Sequence, residues 1–324
     1  MGTPLAAVML VAGIALLGFG ADLLVRGAVT LARAAKLSAA VIGLTLVSMG
    51  TSLPELAVSV AAALRGSPDL AIGNVVGSNI FNIGIVLGVS ALILPMRVHG
   101  SAVKLGWPFL FLASCQLLLL ARDGRIDRLE GGFFVIAVAL FTRYAVIIGR
   151  EAVGQEEAAD LAEQVKTRAP RADLRSIGGA IGLLVIGIAL LLTGGELLVR
   201  GAVALARTFG MTERMIGLTV VSIGTGTPEL ATSIVAARKG QSEIALGNVI
   251  GSNIFNILGI LGVTAVIAPL AVAPAMLDSD LWWMLGITLV LLPAMRSRAV
   301  VTRIEGALLI LVYGTYVTLL ALSQ

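Results

Sequence analysis

The chain has 324 residues, of which 58% are hydrophobic and only 13% charged, with a formal net charge of +4 and one cysteine, Cys115. That balance excludes an ordinary soluble domain, and a lone cysteine excludes an intrachain disulfide or a cysteine-based metal cluster. The excess of Lys and Arg lies in loops, so nucleic acid is not expected as a partner, and the lone His99 is read as a loop residue.

Ten apolar stretches follow one another at about 5–31, 38–65, 69–95, 103–121, 129–149, 177–205, 212–239, 243–269, 279–297 and 303–322. Each is near the roughly 20 residues a helix needs to cross about 30 Å of hydrocarbon, and the alternation of a transmembrane barrel is absent. The predicted fold class is an all-α polytopic membrane protein. Met1–Pro4 carries no basic n-region, so a cleaved signal peptide is not expected. The first span places Asp22 four residues before Arg26, an ion pair on one helix face. Gly50-Thr51-Ser52-Leu53-Pro54-Glu55 lies in the second span, and the third opens near Asp69 and holds Gly77-Ser78-Asn79-Ile80-Phe81-Asn82. After spans four and five, residues 150–176 carry mixed charge and are too short for a domain of their own; a cytoplasmic tether is expected. The sixth span repeats the ion pair as Glu196 and Arg200. The seventh holds Gly224-Thr225-Gly226-Thr227-Pro228-Glu229, and the eighth opens near Glu243 and holds Gly251-Ser252-Asn253-Ile254-Phe255-Asn256. Trp107, Trp282 and Trp283 near span ends are expected as interfacial anchors.

Both motifs recur at an offset of 174 residues, without a gap from Asp22/Glu196 to Pro95/Pro269, with 43 identities in 74 aligned positions. Each copy contains five spans. An odd number makes the second copy enter the membrane from the opposite side, so the ten transmembrane helices form two inverted five-helix repeats, the architecture of many secondary transporters. The halves are 1–149 and 177–324, joined by 150–176. With both termini outside, inner loops hold 14 Lys and Arg against 6 in outer loops, which favours that orientation.

The repeated motifs carry the chemistry. Pro54 and Pro228 each remove an amide donor and disrupt the preceding turn, and Gly50, Gly224 and Gly226 add backbone freedom. A locally unwound segment with free carbonyls is expected, which a bilayer tolerates only where protein or a polar cavity surrounds it. Glu55 and Glu229 follow at once, and a carboxylate at membrane depth marks a functional site. Ser78 and Asn82, four residues apart, share one helix face, as do Ser252 and Asn256. Every donor in this set is a hard oxygen, suited to Ca²⁺ or Na⁺ and not to a thiolate-bound metal. Two carboxylates neutralise one Ca²⁺, which Na⁺ ions or protons could replace. A single copy could be only a kinked helix with a snorkelling glutamate; the inverted duplication is what that account lacks. With one His and one Cys there is no nucleophile–base pair, so no enzyme and no cofactor are expected. A passive cation channel would place its pore between subunits, whereas one chain here supplies both half-sites. No protein partner is indicated, and a monomer suffices.

Gly-Thr-Ser-x-Pro-Glu with Gly-Ser-Asn-x-Phe-Asn, repeated in inverted halves over essentially the whole chain, resembles the cation/calcium exchanger superfamily, and within it the prokaryotic Na⁺/Ca²⁺ exchangers. The resemblance implies a prokaryotic plasma membrane location and a Ca²⁺ antiporter coupled to Na⁺, with Ca²⁺/H⁺ exchange as the alternative. It implies a core of spans 2, 3, 7 and 8, against which the first and sixth slide. By position, Glu55 and Glu229 would be the central carboxylate ligands, and Thr51 and Thr225 would offer carbonyls to Ca²⁺. Ser52, Ser78 and Ser252, with the carbonyls of Ser48 and Ser222, would complete Na⁺ sites, and Asn82 and Asn256 would line the middle. Two positions depart from the family pattern. Gly226 stands where a serine matching Ser52 is expected, and Asn256 stands where some prokaryotic members have aspartate.

Overall fold

The computed structural model describes residues 3–35, 37–98, 102–151, 174–208, 222–296 and 299–322. Helix α1 (Thr3–Ala35) is followed by the bent pair α2 (Ala39–Thr51) and α3 (Leu53–Leu64), then by α4 (Pro68–Ile93), α5 (Ala102–Asp123) and α6 (Arg128–Glu151). The second half contains α7 (Leu174–Thr208), α8 (Ser222–Thr225), α9 (Thr227–Arg238), α10 (Ser242–Ile267), α11 (Met276–Arg296) and α12 (Arg303–Leu322). Eight of these helices are long and apolar enough to cross a membrane singly, and α2–α3, bent by 46°, makes a ninth span. The tenth, expected over 212–239, is described only from Ser222 onward. His99 lies outside the described residues, as does nearly all of the expected tether.

Local chemistry sets the helix ends that matter for the site. α3 and α9 stop at Gly66 and Gly240, both at φ +73°, where a glycine caps a helix without strain. The Ser67 amide then reaches back to the Ala62 carbonyl at 2.9 Å, and Gln241 to Ala236 at 2.8 Å. These tight turns fold α4 against α3 and α10 against α9. Pro68 fits the first turn of α4, where its missing amide costs nothing, and Asp69 and Glu243 sit in first turns as expected. α4 and α10 form the centre of the bundle: 72% and 78% of their most apolar stretches are buried, against 17–33% in the other single-helix spans. Each widens into a π-helical turn, Asn82–Leu87 and Phe255–Leu261, directly at or before the site asparagine, a distortion that often accompanies function.

α1 and α7 pack antiparallel along a seam of small residues. A methyl group on Gly13 would lie 2.8 Å from the Gly194 carbonyl oxygen, one on Gly20 2.9 Å from that of Gly187, one on Gly27 2.8 Å from that of Ala180, and one on Gly201 2.9 Å from that of Ala6. Small residues thus recur every seven positions on both helices, the period of a left-handed supercoil, and let the backbones touch where lipid offers no hydrophobic drive. The remaining contacts interlock the halves. α12 meets α4 through Gly306 and Gly88, and α6 meets α10 through Gly131 and Gly262, so the last helix of each repeat packs on the third span of the other. Two-residue antiparallel strands join the loops across the halves: β1 (Met96–Arg97) pairs with β4 (Val300–Val301), and β2 (Arg125–Ile126) with β3 (Leu270–Ala271).

Both expected helix-face ion pairs form, Arg26 to Asp22 at 2.7 Å and Arg200 to Glu196. Asp22 also pairs with Lys239 at the end of α9, a tertiary contact that spacing along the chain does not announce. Because both partners are about one-third exposed, Lys239→Gln should alter stability by no more than about 1 kcal/mol. Melting of the detergent-purified protein checks this, and a larger loss would mean that the pair anchors α1 to the core. Trp107 is turned into the bundle, its indole donating to the Thr288 carbonyl at 2.8 Å, while Trp282 is exposed.

Candidate ion-binding site

The break between α2 and α3 is one residue wide. Ser52 leaves helical geometry at ψ 9°, and Gly226 does the same at ψ 2° between α8 and α9. The expected unwinding is therefore present and narrow. Pro54 and Pro228 then open the half-helices α3 and α9, placing Glu55 and Glu229 in their first turns, where the helix dipole favours a carboxylate. Glu55 is 1% and Glu229 0% exposed.

A hydrogen-bonded frame from both halves holds these carboxylates. Ser52 Oγ donates to Glu229 Oε1 at 2.9 Å, across the two repeats. The amide of Asn74 donates to the Glu55 carbonyl at 3.2 Å and to Ser59 Oγ at 3.0 Å. Its counterpart Asn248 donates to the Glu229 carbonyl at 3.4 Å and to Ser233 Oγ at 3.1 Å. Thr51 Oγ1 donates to Asn248 Oδ1 at 3.1 Å, joining the first motif to the second half. One layer on, Asn82 Nδ2 donates to Asn253 Oδ1 at 3.0 Å and Asn256 Nδ2 to Asn79 Oδ1 at 3.4 Å, a pair of bonds related by the internal symmetry.

What this frame leaves unbonded is more telling. Among the described residues, eight buried side-chain N or O atoms have no hydrogen-bond partner, and five belong to the residues predicted from sequence: Glu55 Oε2, Glu229 Oε2, Asn82 Oδ1, Asn256 Oδ1 and Ser252 Oγ. Each such group costs about 1–3 kcal/mol, more if charged, unless something meets it. All five can present an oxygen lone pair, so their natural partner is a hard cation. Of the other predicted residues, Ser78 and Thr225 are buried. The Ser48 hydroxyl turns back to the carbonyls of Leu44 and Thr45, and its own carbonyl accepts from the Ser52 amide at 3.1 Å and Thr51 Oγ1 at 3.3 Å. Ser222 opens α8.

The sequence pattern of the sodium/calcium exchanger protein family matches residues 5–147 and 179–322. The chain belongs to this family. Among its relatives is the inner membrane protein YrbG of Escherichia coli K12, 38% identical over 289 residues, covering 88% of this chain and 87% of that one. The sodium/calcium exchanger MaX1 of Methanosarcina acetivorans is 33% identical over 341 residues, covering 96% and 97%. The solved structure of the sodium-calcium exchanger NCX_Mj, soaked without Na⁺ and Ca²⁺, superposes with a TM-score of 0.84 at 30% identity over 98% of this chain and 100% of that one. The ten-helix inverted repeat is thus the fold of an exchanger in this family, and the chain is an integral membrane protein.

Within that frame the two departures have physical readings. Asn256 donates its amide to Asn79 Oδ1; an ionised aspartate there could only accept, and would face another acceptor. At Gly226, a Cβ would lie 2.6 Å from Phe81 Cε1 and 2.7 Å from Cδ1, so the Phe81 ring fills the room that a serine would need. Sequence reasoning missed Asn74, Asn248, Ser59, Ser233, Asn79 and Asn253. All six are identical between the copies at the 174-residue offset and polar within apolar spans, which was signal enough to find them.

Proposed function

We propose that this exchanger moves Ca²⁺ across the prokaryotic plasma membrane in return for Na⁺ by alternating access, with both termini outside. The observation that carries this reading is the cluster of unpartnered oxygens around two buried carboxylates supplied by opposite halves. Glu55 and Glu229 would hold Ca²⁺ between them with the carbonyls of Thr51 and Thr225. Na⁺ would be met by the hydroxyls of Ser52, Ser78 and Ser252 and the carbonyls of Ser48 and Ser222, while Asn82 and Asn256 line the middle. When Na⁺ replaces Ca²⁺, Ser52 keeps one oxygen of Glu229 in place, so exchanging ions need not reorganise the carboxylate. Bracing of the Glu55 and Glu229 backbones by Asn74 and Asn248 serves the same end, since a preorganised ligand set gives up little entropy on binding.

Proteoliposomes loaded with Na⁺ and diluted into Na⁺-free buffer, with pH clamped on both sides, should take up Ca²⁺ rapidly, and uptake should vanish when internal Na⁺ is omitted. A second reading, Ca²⁺/H⁺ exchange, is favoured by the apolar ring standing where a hydroxyl ligand is expected at Gly226. Uptake that ignores Na⁺ but follows an imposed pH gradient in the same vesicles would establish it instead.

A further inference from the structure

We infer that Phe81 is a specificity-determining residue, whose ring, seated on Gly226, closes one of two symmetry-related ion positions and makes the halves of the site unequal. This rests on the Na⁺/Ca²⁺ exchange reading and adds to it which half binds the monovalent ion less well.

The internal offset relates Ser52 to Gly226, Glu229 to Glu55, Phe255 to Phe81 and Gly259 to Ile85. On one side Ser52 Oγ bonds Glu229 Oε1 at 2.9 Å. Room for that hydroxyl exists because the opposing phenylalanine, Phe255, lies on its own helix over Gly259: a methyl group on Gly259 would be 2.6 Å from Phe255 Cδ2. On the other side Ile85 stands in place of that glycine, and a ring folded back in the same way would meet its side chain. Phe81 therefore points across the repeats onto Gly226, its ring edge-on to Tyr313 at 5.8 Å between centroids. The position related by symmetry to the Ser52 hydroxyl is thus occupied by ring carbon. Gly226 and Ile85 form one matched set, Ser52 and Gly259 the other, and mixing them produces either a clash or a hole. Ca²⁺, held chiefly by two carboxylates, tolerates this asymmetry. Na⁺ draws more of its shell from neutral oxygens and loses one here.

The test uses the full-length exchanger in proteoliposomes, reading half-saturating Na⁺, half-saturating Ca²⁺ and maximal rate separately, with melting of the purified protein alongside. Gly226→Ser alone should lose both melting temperature and flux, because its Cβ meets the ring. Two routes should rescue it: Phe81→Leu, which shortens the side chain, and Ile85→Gly, which gives Phe81 the resting place Phe255 has. With Phe81→Leu as reference, Phe81→Leu/Gly226→Ser should lower half-saturating Na⁺ by roughly fivefold, the scale of one gained polar contact, while half-saturating Ca²⁺ moves far less. A merely structural role for Phe81 would change melting and maximal rate and leave that Na⁺/Ca²⁺ ratio alone, and this result would overturn the inference. So would full flux and stability in Gly226→Ser alone, or failure of both second substitutions to rescue it. Wild-type vesicles that show no Na⁺-driven uptake at all would fault the exchange reading instead, which separates the two failures.

Discussion

Glu55→Gln and Glu229→Gln should each reduce Na⁺-driven Ca²⁺ uptake by at least about a hundredfold. At an effective dielectric of about 20, a unit charge interacting with another about 4 Å away contributes roughly 4 kcal/mol, and a divalent ion loses more. Partial compensation by the remaining carboxylate and the surrounding amides still leaves a loss on that scale. The glutamine is nearly isosteric, and at position 229 its oxygen can still accept from Ser52, so the fold should survive. Removing one of two buried acidic groups should leave the ion-free variants at least as stable as the parent, since an unpaired buried charge is itself costly. The distinguishing readout is therefore ligand-dependent melting. Millimolar Ca²⁺ should raise the melting temperature of the parent through binding linkage and should leave both variants unmoved. Full uptake in either variant would remove that residue from the ligand set.

Gly20→Leu should prevent recovery of stable protein, whereas Gly18→Leu on the same helix should be tolerated. The two positions lie two apart in the chain and differ in their surroundings. Gly20 faces the seam, where an added Cβ would lie 2.9 Å from both the Gly187 carbonyl oxygen and the Leu191 amide nitrogen; Gly18 has nothing within 4 Å. Overpacking that flexible side chains can absorb costs about 1–3 kcal/mol. Here the obstacle is backbone, which cannot rotate away, so the helices must separate and the cost should reach or exceed the top of that range. Monodispersity and melting in detergent provide the measurement. Equal behaviour of the two variants would show that α1 and α7 are not held by close approach of their backbones.

Much of the site was legible because duplication supplies its own control. Glu55 could have been one snorkelling side chain, but Glu229 in an inverted copy, with the same proline before it, could not be explained that way. The span count was legible for a similar reason, since apolar length has a fixed meaning in a bilayer. The seam of α1 and α7 was also written in the chain, as Ala6, Gly13, Gly20 and Gly27 and their counterparts Ala180, Gly187, Gly194 and Gly201. Only one of its pairs, Gly27 and Gly201, falls inside the aligned window that opens at Asp22, too few to show the heptad spacing. Other features lie beyond one-dimensional reading. Which way the Phe81 ring turns depends on Ile85 one turn away and on a glycine in the opposite half, and no spacing rule connects those three. The two-residue strands between loops carry too little pattern to show, and the reach of Lys239 to Asp22 exists only once α9 lies beside α1.

The small-residue seam has a mechanical consequence. Helices that touch through their backbones at four successive heptads resist being displaced singly, so any sliding of α1 should carry α7 with it. Because such a pair contains one helix from each inverted repeat, a joint shift that uncovered the ions at one membrane face would carry the companion helix over the opposite face. Two doors hung on a single rod would be opposed in phase. A leak, in which Ca²⁺ runs down its gradient without returning Na⁺, would require the rod to split lengthwise. The same glycines that bring two helices together would therefore also guard the gradient the exchanger draws on.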